Sequence, residues 1–172
     1  MNGKIVGGAI VGMAIAAGAA LYYFQVYHFY TPVAAPEVSL TLLGGEVEPI
    51  LAEDVEAIDA ESSPIRYRAC FTTPMSLGTL TETYVIYPDA EPLRAPGWFS
   101  CFDAEALGAA LQRGEAVAFL GEANIVYGID RVVAVHTDGR GFAWDQINAC
   151  GARVFDGDPP PEGCPPPPAS LE

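Results

Sequence analysis

Beyond residue 31 the chain carries one histidine, His136, and no lysine, among 22 carboxylates that all lie at or after Glu37. That inventory excludes a Ser-Lys dyad and leaves His136 as the one imidazole available as a general base. His136 stands in HTDGRG beside an Asp138-Gly139 turn, and a solvent-facing strand residue is the expected reading. The same segment resembles a calcium loop only in its Asp-Gly, because the upstream ligands and the closing glutamate are missing. No G-x-S-x-G elbow, P-loop, Rossmann glycine pattern or H-E-x-x-H is present. Asp156-Gly157-Asp158 reads as solvated charge. A glycosidase needs two carboxylates at a fixed separation, and sequence spacing does not show separation in space. The residues therefore predict no catalytic, cofactor or metal site.

Four cysteines remain, Cys70, Cys101, Cys150 and Cys164. Their chemistry depends on compartment, which the N-terminus decides. Ile5 to Phe24 is twenty residues without a formal charge, preceded by Lys4. As a helix it spans about 30 Å, a bilayer core. A cleavage site can be read in Ala16-Ala17-Gly18-Ala19-Ala20, but the apolar region of a signal peptide is shorter, and the aromatic residues beyond Ala20 argue for retention. Tyr22, Tyr23, Phe24, Tyr27, Phe29 and Tyr30 form an aromatic belt of the kind that settles at a membrane–water interface. The segment is expected to stay as an anchor. With Lys4 before the span and no basic residue until Arg66, the N-terminus is placed in the cytoplasm and residues 31–172 in the periplasm of a bacterial inner membrane. Gly8, Gly12, Ala16 and Ala20 recur at four-residue spacing, a small face on which another membrane helix can pack.

In an oxidising compartment an even cysteine count favours two disulfides, and four cysteines allow three pairings. The expected pairs are Cys70–Cys101 and Cys150–Cys164, the second tying the tail to the last strand. A loop of that size is worth about 3 kcal/mol. With no C-x-x-C, neither a thioredoxin-like pair nor haem attachment is indicated, and the spacing does not suggest zinc. In RAPGWFSCF (94–102), Trp98 and Phe99 are expected in the core, with an exposed partner patch as the alternative.

The chain divides into an anchor over 1–30, a linker over 31–36, an α+β domain over 37–156 and a Pro-rich tail over 157–172. Strands are expected in VSLTLL and EVEPIL around a two-residue Gly44-Gly45 turn, with Pro49 confining the second to an edge, and in 65–72 and 82–87. Thr73-Pro74 can open a short helix over 74–80. DAEALGAALQRG (103–114) is the clearest helix, with Asp103 as N-cap, a Phe102–Leu107 staple and Gly114 at its end. In DRVVAVHTDGRGFAWDQI a two-residue Asp138-Gly139 turn pairs Val135 with Phe142 and Val133 with Trp144 on one buried face. The fold class is α+β: one transmembrane helix, then a small, mainly antiparallel sheet with one or two short helices.

MNGKIVGG…AGAALYYFQVYHFY, SSPIRYRACFTTP, LTETYVIY, APGWFSCFDAEALGAAL, FLGEANIVYGIDRVVAV and CPPPP together resemble an uncharacterised family of alphaproteobacterial membrane proteins, over nearly the whole chain. Some members carry a histidine kinase label, which the absence of any nucleotide-binding motif contradicts. The resemblance implies a lineage and an inner membrane, and no functional residues.

Past residue 31, seven arginines oppose 22 carboxylates, a net charge of −15. This disfavours nucleic acid and a surface-hugging basic amphipath. The first expectation is a non-catalytic accessory or assembly subunit of an inner-membrane complex, respiratory or photosynthetic, whose acidic face could attract a basic c-type cytochrome. The alternatives are a tethered binding module with a pocket near Trp98 and Trp144, and a carboxylate-based hydrolase.

Overall fold

The computed structural model describes residues 2–169; Met1 and the last three residues of the expected tail lie outside the described residues. Helix α1, Gly3–Tyr23, continues into a five-residue π-turn over Phe24–His28. The whole of Gly3–His28 is long and apolar enough to cross a membrane, and none of it is buried against the domain.

The domain is built on a six-stranded antiparallel sheet in the order β1-β4-β5-β8-β7-β6. Its strands are β1 Thr31–Pro32, β4 Glu53–Asp59, β5 Arg68–Thr72, β6 Ala116–Val126, β7 Ile129–His136 and β8 Arg140–Ile147. A separate two-stranded sheet pairs β2 Ser39–Thr41 with β3 Val47–Pro49. Three helices complete the domain, α2 Leu77–Thr83, α3 Ala104–Arg113 and α4 Ala149–Phe155. The architecture is the expected α+β class, with one more helix than the sequence suggested.

Both faces of the large sheet are covered. On one face Phe71, Phe119, Val133 and Val135 pack with Leu40 of β2 and Leu80 of α2. On the other, Val132, Ala134, Phe142 and Trp144 pack with Phe99, Phe102, Leu107 and Ala110 around α3. A strand covered on both sides has no polar face, so Val132, Val133, Ala134 and Val135 are all buried in succession.

That double burial hides the register from a sequence reading. Val135 pairs with Gly141 and Val133 with Ala143, while Phe142 and Trp144 oppose Ala134 and Val132. The expected pairing is thus wrong by one residue, which sends Phe142 and Trp144 to the face opposite Val133 and Val135. The cause is the turn. Asp138 keeps a negative φ, which a two-residue type I′ turn forbids, and Gly139 alone enters the left-handed region at φ 87°. Thr137, Asp138 and Gly139 form a three-residue loop, closed by the Gly139 amide donating to the His136 carbonyl at 3.0 Å. The Gly44-Gly45 turn deviates in the same way: Thr41 pairs with Val47, and only Gly45 has a positive φ, at 93°.

Helix α3 is capped as the sequence indicates, with Asp103 Oδ1 accepting from the Glu105 and Ala106 amides and Gly114 at φ 70°. Phe102 and Leu107 are buried in one cluster. Helix α2 begins three residues later than expected, because Ser76 Oγ accepts from the Thr79 amide and sets the N-cap there. Residues 82–87 do not form a strand. They finish α2 and then make single bridges, Tyr84 to Leu42 and Ile86 to Phe119.

Gly141 marks the tightest point of the sheet. It pairs with Phe71 across β5–β8, and a methyl group at this position would overlap the Phe71 ring. Gly141→Ala is therefore expected to destabilise the domain by about 2–3 kcal/mol through overpacking. Chemical denaturation of the full chain in detergent checks this. Adding Phe71→Leu should recover part of the loss, which a purely conformational effect of the glycine would not.

Candidate functional site

The feature with the most built-in geometry is the junction between α1 and the domain. The last carbonyls of a helix lack intrahelical donors, and at a membrane surface they must find others. Here the domain supplies one: the Trp98 indole Nε1–H donates to the Val26 carbonyl at 2.7 Å. The Trp98 ring also stacks on Tyr27, with centroids 6.3 Å apart, and meets Tyr30 edge-on at 6.1 Å. Tyr27 in turn stacks on Tyr23 at 6.0 Å and contacts Tyr22 edge-on at 6.2 Å, so one rigid aromatic block runs from helix to domain.

The segment after the belt has little slack. Thr31 and Pro32 pair with Asp59 and Ile58 as an edge strand, and the Val33 amide donates to the Ala57 carbonyl at 2.9 Å. Half of the stretch expected as a linker is therefore bonded into the sheet. Only Phe29 and Tyr30 separate the π-turn from β1, and Tyr30 packs against the second core cluster.

Trp98 and Phe99 divide the two roles weighed for them. Phe99 is core, 7% exposed, while Trp98 is 38% exposed and its ring is met by the chain's own belt. Their loop is held from two sides. Cys101, three residues on, is bonded to Cys70 of β5. Arg68, also of β5, is buried and donates to four carbonyls: Ile65 at 2.9 Å, Tyr67 at 2.6 Å, Leu93 at 2.8 Å and Arg94 at 3.1 Å. Burial lowers its basicity, and the nearby Tyr30, Asp145 and Asp59 oppose that shift. Arg68 escapes a sequence reading as a positioning residue, and the only signal is the R-Y-R triplet opening a strand.

Gly8, Gly12, Ala16 and Ala20 lie along α1, and a side chain added at Gly8 or Gly12 would meet nothing in this chain. Tyr22, Tyr23, Tyr27 and Phe29 are exposed around the helix end. Beyond β8, Cys150 is bonded to Cys164, and the Tyr127 hydroxyl donates to the Pro165 carbonyl at 3.1 Å, so the Pro-rich tail is fastened.

Two cavities hold the remaining polar chemistry. One of about 380 Å³ is lined by Asp103, Arg113, Glu115, His136, Arg140 and the Cys101 edge of its disulfide. Its charges are paired internally. Arg113 grips Glu115 at 2.7 Å, and Asp138 meets Arg140 at 2.8 Å and His136 at 3.2 Å. The Arg140 amide holds Asp138 below the usual carboxylate range, and the Arg113 guanidinium does the same for Glu115. Neither is poised as a general acid, which needs a raised pKa.

The other cavity, about 540 Å³, adjoins a buried network absent from the sequence reading. Asp130 accepts from Asn148 Nδ2 at 2.7 Å, the Asn124 amide at 2.9 Å and the Tyr87 hydroxyl at 3.1 Å. Burial and then the Asp130 charge push the Tyr87 hydroxyl well above its ordinary pKa. Asn124, at φ 51°, is the one polar residue whose backbone conformation marks this place. Trp144, expected near a pocket, is fully buried and donates to Gln146 at 3.2 Å.

The junction makes a direct prediction. Trp98→Ala removes one hydrogen bond, the Tyr27 stack and the Tyr30 edge contact, together about 1.5 kcal/mol, or roughly tenfold in a local opening equilibrium. Hydrogen exchange of the full chain in nanodiscs should show amides 26–33 exchanging about tenfold faster, with β7 and β8 unchanged. Trp98→Phe, which keeps a ring and loses the donor, should fall between.

No curated protein and no solved structure matches the chain. Residues 38–165, from the start of the small sheet to the disulfide-fastened tail, match the model of a family described as of unknown function, DUF6446. This covers most of the sequence, and the chain belongs to that family.

Proposed function

We propose that the protein is a non-catalytic accessory or assembly subunit of an inner-membrane complex, tethered by α1 with its acidic domain on the periplasmic side. The observation that carries this reading is the junction. A module that samples ligands in the periplasm gains reach from a flexible tether. Here the Trp98–Val26 bond, the Trp98–Tyr27 stack and β1 leave two unpaired residues between helix and sheet. Such a joint fixes which face of the domain points along the membrane and which points away, as is needed to cover part of a neighbouring complex.

Two further features support it. The helix offers a small face at Gly8, Gly12, Ala16 and Ala20, suited to close packing on another span. The two disulfides fit an oxidising compartment, and with Lys4 ahead of the span they favour export of the domain. The partner is an integral membrane protein; a basic soluble protein can add to it on the acidic surface.

The test is purification from native membranes in mild detergent through a C-terminal tag, followed by identification of the co-purifying chains. The expected result is a stoichiometric membrane complex that is lost with Gly8→Leu/Gly12→Leu while the variant still fractionates with membranes. Recovery of the intact protein alone would overturn the subunit reading and return attention to the cavity beside Asp130.

A further inference from the structure

The seven arginines of the exported part fall into two sets. Arg113, Arg131, Arg140 and Arg153 each pair with a carboxylate, Glu115, Asp145, Asp138 and Asp158 respectively. Among the described residues no carboxylate lies within ion-pair distance of Arg66, Arg68 or Arg94. In a domain with a threefold excess of acid over base, unneutralised cations are the exception.

The backbone segments that carry these three are also brought together. The Arg68 guanidinium binds the carbonyls of Ile65 and Tyr67, which flank Arg66, and those of Leu93 and Arg94. It thereby joins the two segments that carry the other arginines. The Arg66 guanidinium sits over the Tyr30 ring, 5.6 Å from its centroid, and Tyr30 is the last residue of the belt. Arg94 is exposed four residues before Trp98, which caps the anchor. Asp103 and Glu105 share a cavity of about 380 Å³ with Arg94 and form the acidic boundary of the cluster.

We propose that Arg66 and Arg94, positioned by Arg68 beside Tyr30 and Trp98, form a docking site for the phosphate of an anionic phospholipid in the periplasmic leaflet. The proposal rests on α1 being a retained anchor, because only then does the belt set these arginines at headgroup level. A guanidinium suits phosphate through paired N–H donors, and a tyrosine ring beneath Arg66 holds it without neutralising it. Lipid is favoured over a free anion because the cluster adjoins the one part of the domain whose aromatics already belong to the interface. The rest of the surface, at net negative charge, repels anionic headgroups, so the contact would fix how the domain leans on the bilayer.

The experiment uses the full chain in nanodiscs of phosphatidylcholine with spin-labelled phosphatidylglycerol or spin-labelled phosphatidylcholine as the probe, read as the motionally restricted lipid fraction. Wild type is expected to prefer phosphatidylglycerol about threefold at low salt, with the preference falling as salt screens it. Arg66→Gln/Arg94→Gln should abolish the preference while the near-UV signal of Trp144 stays intact. Arg153→Gln, at a paired surface arginine, should leave it unchanged. No preference in wild type, or one retained in the double variant, would falsify the site and leave the anchor untouched. Loss of the preference in inorganic phosphate, but not in chloride of equal ionic strength, would assign the pair to a free anion and overturn the lipid. Release of the chain by alkaline carbonate would instead remove the anchor on which the proposal stands.

Discussion

A buried guanidinium without an acidic partner organises the end of the domain that meets the N-terminal helix. Arg68 lies in β5 between Ile58 of β4 and Trp144 of β8, in the body of the sheet. A charge there is costly unless its donors are used, and it makes four hydrogen bonds to carbonyls of two separate loops. Those carbonyls would otherwise be stranded in the part-buried space between β5 and the 93–102 segment. The sheet thus fixes Arg68, Arg68 fixes the loops, and one loop presents Trp98 to the end of the N-terminal helix. The Cys70–Cys101 bond holds the same segment from the next position but one along β5. A disulfide alone would leave the loop free to swivel; the guanidinium contacts remove that freedom.

The electrostatics depend on this arrangement. Elsewhere the domain pairs its arginines locally, and Arg131 shows how tightly, bidentate to Asp145 at 2.8 and 3.1 Å with its guanidinium 3.7 Å from the Tyr67 ring centre. Burial holds the Asp145 carboxyl above its ordinary pKa, and the Arg131 hydrogen bond offsets only part of that rise. The Arg131–Asp145 pair is an internal strut, while the other three arginine pairs lie on the surface. Near α1 the pairing stops: among the described residues, Arg66, Arg68 and Arg94 have no carboxylate within ion-pair distance. The linear sequence conceals this, because Arg66 meets residue 30, and the segment carrying Arg94 meets that of Arg66, only through the fold.

What the sequence made legible was local. The span, the cap and staple of α3, and the cysteine pairs each depend on residues whose chemistry acts at short range. The hairpins illustrate the limit: Asp-Gly and Gly-Gly mark the turns correctly, but loop length depends on whether the first residue enters the left-handed region, and neither Asp138 nor Gly44 does so. With Val132 to Val135 buried throughout, alternation offered no check on the slip. Strand β6 was missed because bulges between Leu120 and Glu122 and between Glu122 and Val126 break its period. The Asp130 network was invisible for another reason. Its members come from four segments, and only the folded sheet ends bring them together.

Trp98 carries the last step of synthesis. Read as a residue, it was either core or a patch for a partner; in the fold it is 38% exposed rather than core, and its ring meets the chain's own belt. Its ring covers the helix end and its N–H satisfies a carbonyl that water or lipid would otherwise have to serve. A tryptophan at an interface does this best, since its apolar body and single donor match a half-wet environment. The consequence is mechanical. Orientation of the domain is transmitted through a stacked ring, one hydrogen bond and a two-residue strand rather than through a chain that can swivel. A domain held at a fixed angle to its N-terminal helix presents a fixed face, and that is the geometry the proposed membrane-complex reading requires.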